Sequence, residues 1–293
     1  MQYLQLTISY HYDSAATSLR DEDLSDWLIA ELGPLGFDSF EQDAYELKAF
    51  IPTEQYDATA TCELLDGFPA AGFSYTLTVE ELPDINWNEE WEANGFEPIC
   101  IEGRCIIFDA RHYSAADLPA GFHLQVAIEP RQAFGTGTHE TTQMVVAQLL
   151  GMPLQGKRLL DCGCGTGILG IVASKLGAES VLGYDIDEWS VDNSLHNAIL
   201  NDVANMVVRK GDATSLTAGD GPFDVVVANI NRNILLADLP RWVQAMAKKG
   251  TIVLSGFYQA DVSMLVTAAT NLGLRLVSES EQEGWACLTF SKE

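Results

Sequence analysis

The first 82 residues alternate between patterns typical of strands and patterns typical of helices. Apolar residues at every second position predict half-buried strands, whereas apolar residues three and four apart predict helices. Six segments follow in the order strand, helix, strand, strand, helix and strand: residues 3–9, 15–32, 38–42, 45–51, 53–65 and 74–81. Because β-α-β-β-α-β is the order of a ferredoxin-like α+β fold, we predict such a domain at residues 1–82.

From about residue 96 the pattern changes to apolar strands that alternate with helices, which predicts a parallel sheet. Five such strands are expected: residues 158–162, 180–184, 206–210, 223–228 and 250–254. Two further strand patterns, 275–279 and 285–290, lie too close together for a crossover helix and therefore predict an antiparallel hairpin. This layout is typical of the class I methyltransferase (Rossmann-like) α/β fold, and we predict this domain at residues 97–293.

Residues 83–96 are predicted to connect the two domains and to act as a hinge. Residues 86–94 have the pattern of a short amphipathic helix, with Trp87 and Trp91 four apart and therefore on one face. Two interpretations stay open for these tryptophans: they pack against a neighbouring domain, or they contact a partner.

The charge of the chain is strongly negative. Acidic residues outnumber basic residues by 42 to 16, which gives a net charge of −26. A surface of this sign repels phosphate backbones, so we expect no direct contact with nucleic acid. The charge either keeps the protein in solution or steers a basic partner towards it.

Several classes of protein are excluded by what the chain lacks. It has no run of eighteen apolar residues, and its start lacks the regions of a signal peptide. Its six cysteines have neither the spacing of a disulfide framework nor that of a zinc site, and His139-Glu140 is not followed by a second histidine, since position 143 is Gln143. We expect a cytoplasmic monomer without a metal site, in which His139 is a loop or helix-start residue.

A glycine-rich turn follows the first parallel strand. Asp161 ends this strand, and Gly163, Gly165 and Gly167 follow with the spacing G-x-G-x-G, whereas NAD-binding proteins have G-x-G-x-x-G. The Asp161 carboxylate would repel a pyrophosphate but would suit the positively charged methionine end of S-adenosylmethionine. The alternative is a structural turn without a ligand.

Two more carboxylates end the next two strands. Asp185 comes at the distance from the glycine-rich turn at which a carboxylate binds ribose hydroxyls. Asp212 could accept a hydrogen bond from the adenine amino group, or it could simply form a turn beside Gly211. Because ligands of open α/β sheets bind at the carboxyl ends of strands, we expect Asp161, Asp185 and Asp212 to surround one ligand.

The segment 133–142, with the sequence Ala-Phe-Gly-Thr-Gly-Thr-His-Glu-Thr-Thr, resembles the signature of ribosomal protein L-eleven methyltransferases. Residues 161–167, 185–187 and 228–230 are similar to the other motifs of this family, as is the connector at 87–91. The resemblance covers most of residues 84–293. One departure is Glu140, which stands where proline is common in the family.

The resemblance implies an S-adenosylmethionine-dependent enzyme that methylates lysine side-chain amines and the α-amine of a basic protein, ribosomal protein L-eleven. We expect this protein to be methylated free rather than on the ribosome. The first domain would dock it, and the second would bind the cofactor. The residues predicted to contact the cofactor are Phe134, Gly135, Thr136, Thr138, Thr142, Asp161, Gly163, Gly165, Asp185, Asp212 and Asn229.

Asn229 is the predicted catalytic residue, because its side-chain carbonyl could orient the amine that receives the methyl group. Its alternative role is to cap the helix that begins near Asn231. The run 228–231 lacks the Pro-Pro-aromatic sequence common in enzymes that methylate adenine or glutamine amides, which argues against those substrates. The alternative functions are a methyltransferase for RNA or a small molecule, a cofactor-binding scaffold, and a nucleotide-dependent dehydrogenase.

Overall fold

The chain divides into two units, Met1–Glu89 and Glu90–Glu293, in the computed structural model. The structure describes residues 3–12, 21–43, 45–82, 95–131 and 135–293. The predicted connector helix at 86–94 lies outside these residues. The predicted boundaries at 82 and 97 stay predictions.

The first unit has the predicted element order. Its elements are β1 (Tyr3–His11), α1 (Asp21–Leu32), β2 (Ser39–Asp43), β3 (Glu46–Pro52), α2 (Ala58–Asp66) and β4 (Ser74–Glu81). The predicted helix at 53–65 is a 3-10 turn at Thr53–Gln55 followed by α2, which begins where the Asp57 side chain accepts hydrogen bonds from two backbone N–H groups.

The four strands form one antiparallel sheet in the order β2-β3-β1-β4. In β1 every second side chain is buried, and these four residues are Leu4, Leu6, Ile8 and Tyr10. They pack with three leucines of α1 at helical spacing, Leu24, Leu28 and Leu32. The alternating apolar residues of the strand and the apolar residues four apart on the helix therefore pack into one core.

The second unit contains ten strands and five helices among its described residues. The strands are β5 (Ile99–Ile101), β6 (Cys105–Asp109), β7 (Leu124–Ile128), β8 (Arg158–Cys162), β9 (Ser180–Asp185), β10 (Met206–Lys210), β11 (Phe223–Asn229), β12 (Met246–Tyr258), β13 (Leu274–Gln282) and β14 (Trp285–Lys292). The helices are α3 (Glu140–Leu150), α4 (Ile168–Lys175), α5 (Glu188–Leu200), α6 (Arg232–Ala245) and α7 (Val262–Asn271).

Seven of these strands form a sheet in the order β10-β9-β8-β11-β12-β14-β13. The first five are parallel, and β14 runs antiparallel to both β12 and β13. The five predicted parallel strands and the predicted hairpin are therefore confirmed. Strand β12 begins four residues before the predicted start. The polar pair Lys248-Lys249 interrupts the apolar run, so the sequence pattern does not indicate a strand at these first residues.

The faces of this sheet are buried in two separate apolar clusters. Leu159 and Leu160 are neighbours in β8, but each belongs to a different cluster because successive side chains of a strand point to opposite faces. Helices α3 and α4 cover one face, and α6 and α7 cover the other. Burial on both faces explains why the central parallel strands β8 and β11 read as nearly continuous apolar runs.

A small sheet in the order β5-β6-β7 was not predicted. Its strands are short, and β6 is buried at all five positions, so it shows no alternation. None of the described helices combines the length and the apolar character needed to cross a bilayer.

Candidate functional site

A cleft lies at the carboxyl ends of β8, β9, β10 and β11. These ends meet at one edge because the strands are parallel neighbours in the sheet. Seven of the predicted residues line the cleft together: Gly135, Thr142, Gly163, Gly165, Asp185, Asp212 and Asn229. The parallel sheet thus brings together residues that are up to 94 positions apart in the sequence.

Of the other four predicted residues, Phe134 lies outside the described residues. The remaining three, Thr136, Thr138 and Asp161, are not among those that line the cleft. The hydroxyls of Thr136 and Thr138 are hydrogen-bonded to each other at 2.8 Å. Asp161 is buried at the end of β8.

The glycine-rich turn is held against the neighbouring strand. The backbone N–H groups of Gly163 and Cys164 donate to the Tyr184 carbonyl at 2.9 and 3.0 Å. Gly163 has φ +71°, and a Cβ on it would lie 2.5 Å from Cγ2 of Ile230. Only glycine fits this position without a shift of its neighbours, so the turn keeps its backbone open towards the cleft.

Asp185 is fixed by two backbone groups. One carboxylate oxygen accepts a hydrogen bond from Gly165 N–H at 3.0 Å, and the other accepts from Asp187 N–H at 3.1 Å. Each carboxylate oxygen has a further lone pair for another donor. The carboxylate is therefore held in one orientation and can still accept hydrogen bonds from hydroxyl groups of a ligand.

Asp161 lies beneath the turn rather than at its surface. Its Oδ2 accepts a hydrogen bond from Gly170 N–H at 3.0 Å, while Oδ1 is buried and has no donor among the described residues. The pKa of this carboxyl is raised to about 7, mainly by burial; the hydrogen bond from Gly170 N–H opposes the rise, and the negative charge of Asp185 adds to it. Asp161 therefore titrates near neutral pH.

Asp212 forms the turn that was the alternative interpretation of this residue. Its Oδ1 accepts hydrogen bonds from the N–H and the hydroxyl of Thr214, at 2.7 and 2.5 Å, and caps a 3-10 turn. These bonds lower the pKa of the Asp212 carboxyl. The residue also lines the cleft, so forming the turn does not take it away from a ligand.

Asn229 ends β11, and Thr142 lies in the first turn of α3. The Asn229 amide nitrogen donates to the Thr142 hydroxyl at 3.1 Å. The amide oxygen is buried and has no donor within the described part of the chain. The helix that follows is capped by Asn231, whose side chain accepts from Ile234 N–H at 3.1 Å. The alternative role of Asn229 as that cap is therefore wrong.

His139 is the N-terminal cap of α3, as predicted for a helix-start residue. Its Nδ1 accepts from Thr141 N–H at 3.2 Å. The His139 ring contacts the Trp285 ring edge-on, with 4.8 Å between the ring centroids. The Trp285 ring in turn stacks on the Tyr258 ring, with 4.1 Å between their centroids. Trp285 lines the cleft but was missed in the sequence, because an aromatic residue at the start of a hairpin strand is an ordinary feature.

The electrostatics of the cleft favour a cation. Its lining includes four carboxylates, those of Asp185, Asp187, Asp212 and Asp238, and no lysine or arginine among the described residues. Burial, and then the charge of Asp212, raise the pKa of Asp238. A phosphate-rich ligand such as NAD would be repelled, whereas a sulfonium or an ammonium group would be attracted.

Comparison with known proteins identifies the family. The model of the family "Ribosomal protein L11 methyltransferase (PrmA)" matches residues 5–293. A ribosomal protein L11 methyltransferase of Porphyromonas gingivalis is 46% identical over 268 residues, which are 92% of this chain and 91% of that protein. Another, of Phocaeicola vulgatus, is 41% identical over 290 residues, 99% of each chain. The crystal structure of a ribosomal protein L11 methylase from Lactobacillus delbrueckii subsp. bulgaricus has 27% identity and a TM-score of 0.62, and the match covers 68% of this chain and 100% of that one.

The cleft fits the chemistry of a sulfonium cofactor. It has carboxylates for the cationic groups and hydroxyls, an open glycine backbone, and a buried amide oxygen without a donor. The parallel sheet with its antiparallel hairpin is the class I methyltransferase fold. The chain belongs to the ribosomal protein L11 methyltransferase family, and it is a methyltransferase that uses S-adenosylmethionine.

Proposed function

We propose that this enzyme transfers methyl groups from S-adenosylmethionine to lysine side-chain amines and to the N-terminal α-amine of ribosomal protein L11. The relatives at 46% and 41% identity are named for this protein substrate. The observation that carries the amine assignment is the buried Oδ1 of Asn229, which has no donor among the described residues. An amine supplies the N–H that this oxygen needs.

The cofactor would be held by the residues that line the cleft. The Asp185 carboxylate would accept hydrogen bonds from the ribose hydroxyls, and Asp212 would accept from the adenine amino group. Gly163 and Gly165 would let the backbone approach the ligand closely. Thr142, Asp161 and the loop at 134–138, with Phe134, Gly135, Thr136 and Thr138, would surround the methionine half.

Asn229 would act on the nucleophile. Its amide nitrogen is committed to Thr142, so the carbonyl oxygen is the atom that can accept from the amine. This hydrogen bond would aim the nitrogen lone pair at the methyl carbon, and alignment of this kind is a large part of the catalysis of a bimolecular step. The bound cofactor supplies an electrophilic methyl group on a positively charged sulfur.

The amine must lose its proton before it attacks. A lysine with a pKa of about 10.4 is neutral roughly once in 2,500 molecules at pH 7, a cost of about 4.6 kcal/mol, whereas an α-amine with a pKa near 7.8 costs about 1 kcal/mol. The carboxylates of the cleft attract the ammonium form. Desolvation and the neighbouring sulfonium charge oppose it and release the proton to solvent. The N–C bond then forms while the S–C bond breaks.

The first unit would recognise the substrate. Residues 1–89 contain 18 acidic side chains and two basic ones, Arg20 and Lys48, so most of the net charge of −26 lies in this unit. The β-α-β-β-α-β order with strand order β2-β3-β1-β4 supports a ferredoxin-like domain at 1–82, followed by a hinge at 83–96 and the catalytic domain at 97–293. Charge attraction would steer a basic protein to this surface.

The enzyme would act as a monomer in the cytoplasm on free L11 rather than on the ribosome. Its negative charge supports this choice, because ribosomal RNA would repel it.

The test is to incubate purified L11 with the enzyme and labelled S-adenosylmethionine, and to measure intact mass. Mass gains in multiples of one methyl group are expected, and fragmentation should place them on lysines and on the N-terminal amine. Assembled ribosomes as a second substrate compare free with bound L11. If the enzyme binds S-adenosylmethionine but leaves L11 unmodified, the substrate proposal is wrong.

A further inference from the structure

A row of three asparagines, two on α5 and one at the residue that caps its C-terminal end, holds the free edge of the small sheet. Asn193, Asn197 and Asn201 are four residues apart, so they share one helix face, and all are buried. Asn201 accepts from Ala127 N–H at 3.0 Å and donates to its carbonyl at 2.6 Å. Asn197 accepts from Glu129 N–H at 3.0 Å, and Asn193 donates to the Glu129 carbonyl at 2.9 Å. The side-chain amides take the place of a neighbouring strand.

The same helix face also binds the glycine-rich turn of the cofactor site. The Asn197 amide nitrogen donates to the Thr166 carbonyl at 3.0 Å. The Ser194 hydroxyl donates to the Gly165 carbonyl at 2.8 Å. Asn197 and Ser194 are completely buried, so these bonds form away from competing water. Asn197 thus contacts two different segments with its two amide atoms.

The packing between α5 and the turn is close. A Cβ on Gly167 would lie 3.0–3.1 Å from atoms of Ser194, so the helix rests directly on the turn. The hydroxyl of Thr166 in turn donates to the Gly135 carbonyl at 2.5 Å. Asn197 therefore bonds the turn, and the turn bonds Gly135. The turn and Gly135 both line the cleft in which the cofactor would lie.

We propose that Asn197 is a positioning residue for S-adenosylmethionine, and that it fixes the position of the glycine-rich turn through its bond to Thr166. This inference rests on the proposed placement of the cofactor in the cleft. A ligand that contacts the turn loses affinity when the turn shifts by a fraction of an ångström. Asn201 makes the same kind of contact to Ala127 one helical turn away, but it has no hydrogen bond to the turn among the described residues.

The experiment compares the full-length variants Asn197→Asp and Asn201→Asp. Each keeps an oxygen that can accept the backbone N–H and loses the amide donor, so the two variants are matched in chemistry and burial. The Kd for S-adenosylmethionine is measured by calorimetry, and stability is measured by thermal unfolding. We expect the Kd to rise about tenfold for Asn197→Asp, the effect of about one lost hydrogen bond, and less than about twofold for Asn201→Asp.

Ser194→Ala gives a second measurement that does not depend on the three asparagines. It removes the bond to Gly165 without touching residues 127–131, and it is expected to raise the Kd several-fold. This variant decides the matter if Asn197→Asp does not fold. The proposal would be overturned by an unchanged Kd in folded Asn197→Asp, or in Ser194→Ala if Asn197→Asp does not fold. Equal changes in Kd for the variants at positions 197 and 201 would also overturn it.

The placement of the cofactor is tested separately by Asp185→Asn. If this variant also binds S-adenosylmethionine normally, the cleft is not the cofactor site and the inference fails with it. If Asp185→Asn weakens binding while the position-197 variant does not, the placement is correct and only the inference about Asn197 is wrong.

Discussion

The Asn229 amide nitrogen donates a hydrogen bond of 3.1 Å to the Thr142 hydroxyl, although 87 positions separate the two residues in the chain. Because the amide nitrogen is engaged in this bond, the amide oxygen is the atom that can still accept a hydrogen bond. The remaining oxygen is buried without a donor among the described residues, and such an acceptor costs about 1–3 kcal/mol. A ligand that donates an N–H group to this oxygen recovers that energy.

Replacement of Asn229 by alanine is expected to lower kcat for L11 methylation roughly 100-fold, because the amine loses the acceptor that aligns it. The free energy of unfolding should change by less than about 1 kcal/mol, because two opposing effects offset each other. The substitution removes the unpaired buried oxygen, which stabilises the fold, and also the bond to Thr142, which destabilises it. Steady-state kinetics and urea unfolding measure the two effects. The control is Asn205→Ala, which removes a 2.7 Å bond to the Ala178 carbonyl outside the cleft lining and should leave kcat unchanged. Normal turnover in the Asn229 variant would exclude a catalytic role for this residue.

The charge of Asp185 should matter for the cofactor rather than for the protein substrate. Asp185→Asn keeps the size of the side chain but removes the charge and one acceptor, so we expect the Kd for S-adenosylmethionine to rise at least about tenfold. Titration calorimetry measures it. Asp192→Asn, on the exposed side of α5, changes the net charge equally and should leave the Kd unaltered. Equal Kd values for the two variants would contradict the assignment.

Asp161 gives the stability a pH dependence of known sign. Its folded-state pKa of about 7 lies above the unfolded value of about 3.9, so the folded protein holds a proton that the unfolded chain has lost between these pH values. The contribution of Asp161 to stability therefore decreases as pH rises from about 4 to 7. Asp161→Asn removes this change. The stability of the ligand-free variant relative to the wild type should increase by up to about 4 kcal/mol between pH 4 and 8. A stability difference that is the same at both pH values would show that the carboxyl has an ordinary pKa.

A comparison of alanine substitutions at Gly163 and at Gly273 separates the effect of backbone strain from that of a steric clash of the added Cβ. Both have positive φ, +71° and +81°, but a Cβ would lie 2.5 Å from Ile230 at position 163 and would meet nothing within 4 Å at position 273. Alanine at either site costs about 1–2 kcal/mol for the backbone. Gly163→Ala should cost more and should also weaken S-adenosylmethionine binding, as urea unfolding and calorimetry would show. Identical losses at both sites, with unchanged binding, would argue against close approach of the ligand to Gly163.

The sequence predicts the large sheet well, because central strands such as β8 are buried on both faces. The predicted strands at 158–162 and 206–210 coincide with β8 and β10 in the structure. The carboxyl ends of such strands share an edge, so the grouping of Gly163, Asp185 and Asn229 could also be predicted. The small sheet β5-β6-β7 could not, because its strands are only three to five residues long, and β6 is buried at all five positions and shows no alternation.

The sequence by itself determined the order of the elements in the first unit, the order along the chain of the strands of the large sheet, the position of the glycine-rich turn and the acidic character of the first unit. These properties depend on local patterns and on composition, which are written along the chain. The tertiary structure alone decided that β14 lies between β12 and β13, that Asn229 is bonded to Thr142, and that the asparagines of α5 and of its C-terminal cap bind residues 127–131. Each of these contacts joins segments that are distant in sequence. Their formation depends on how the sheet and helices pack, and no local pattern records that packing.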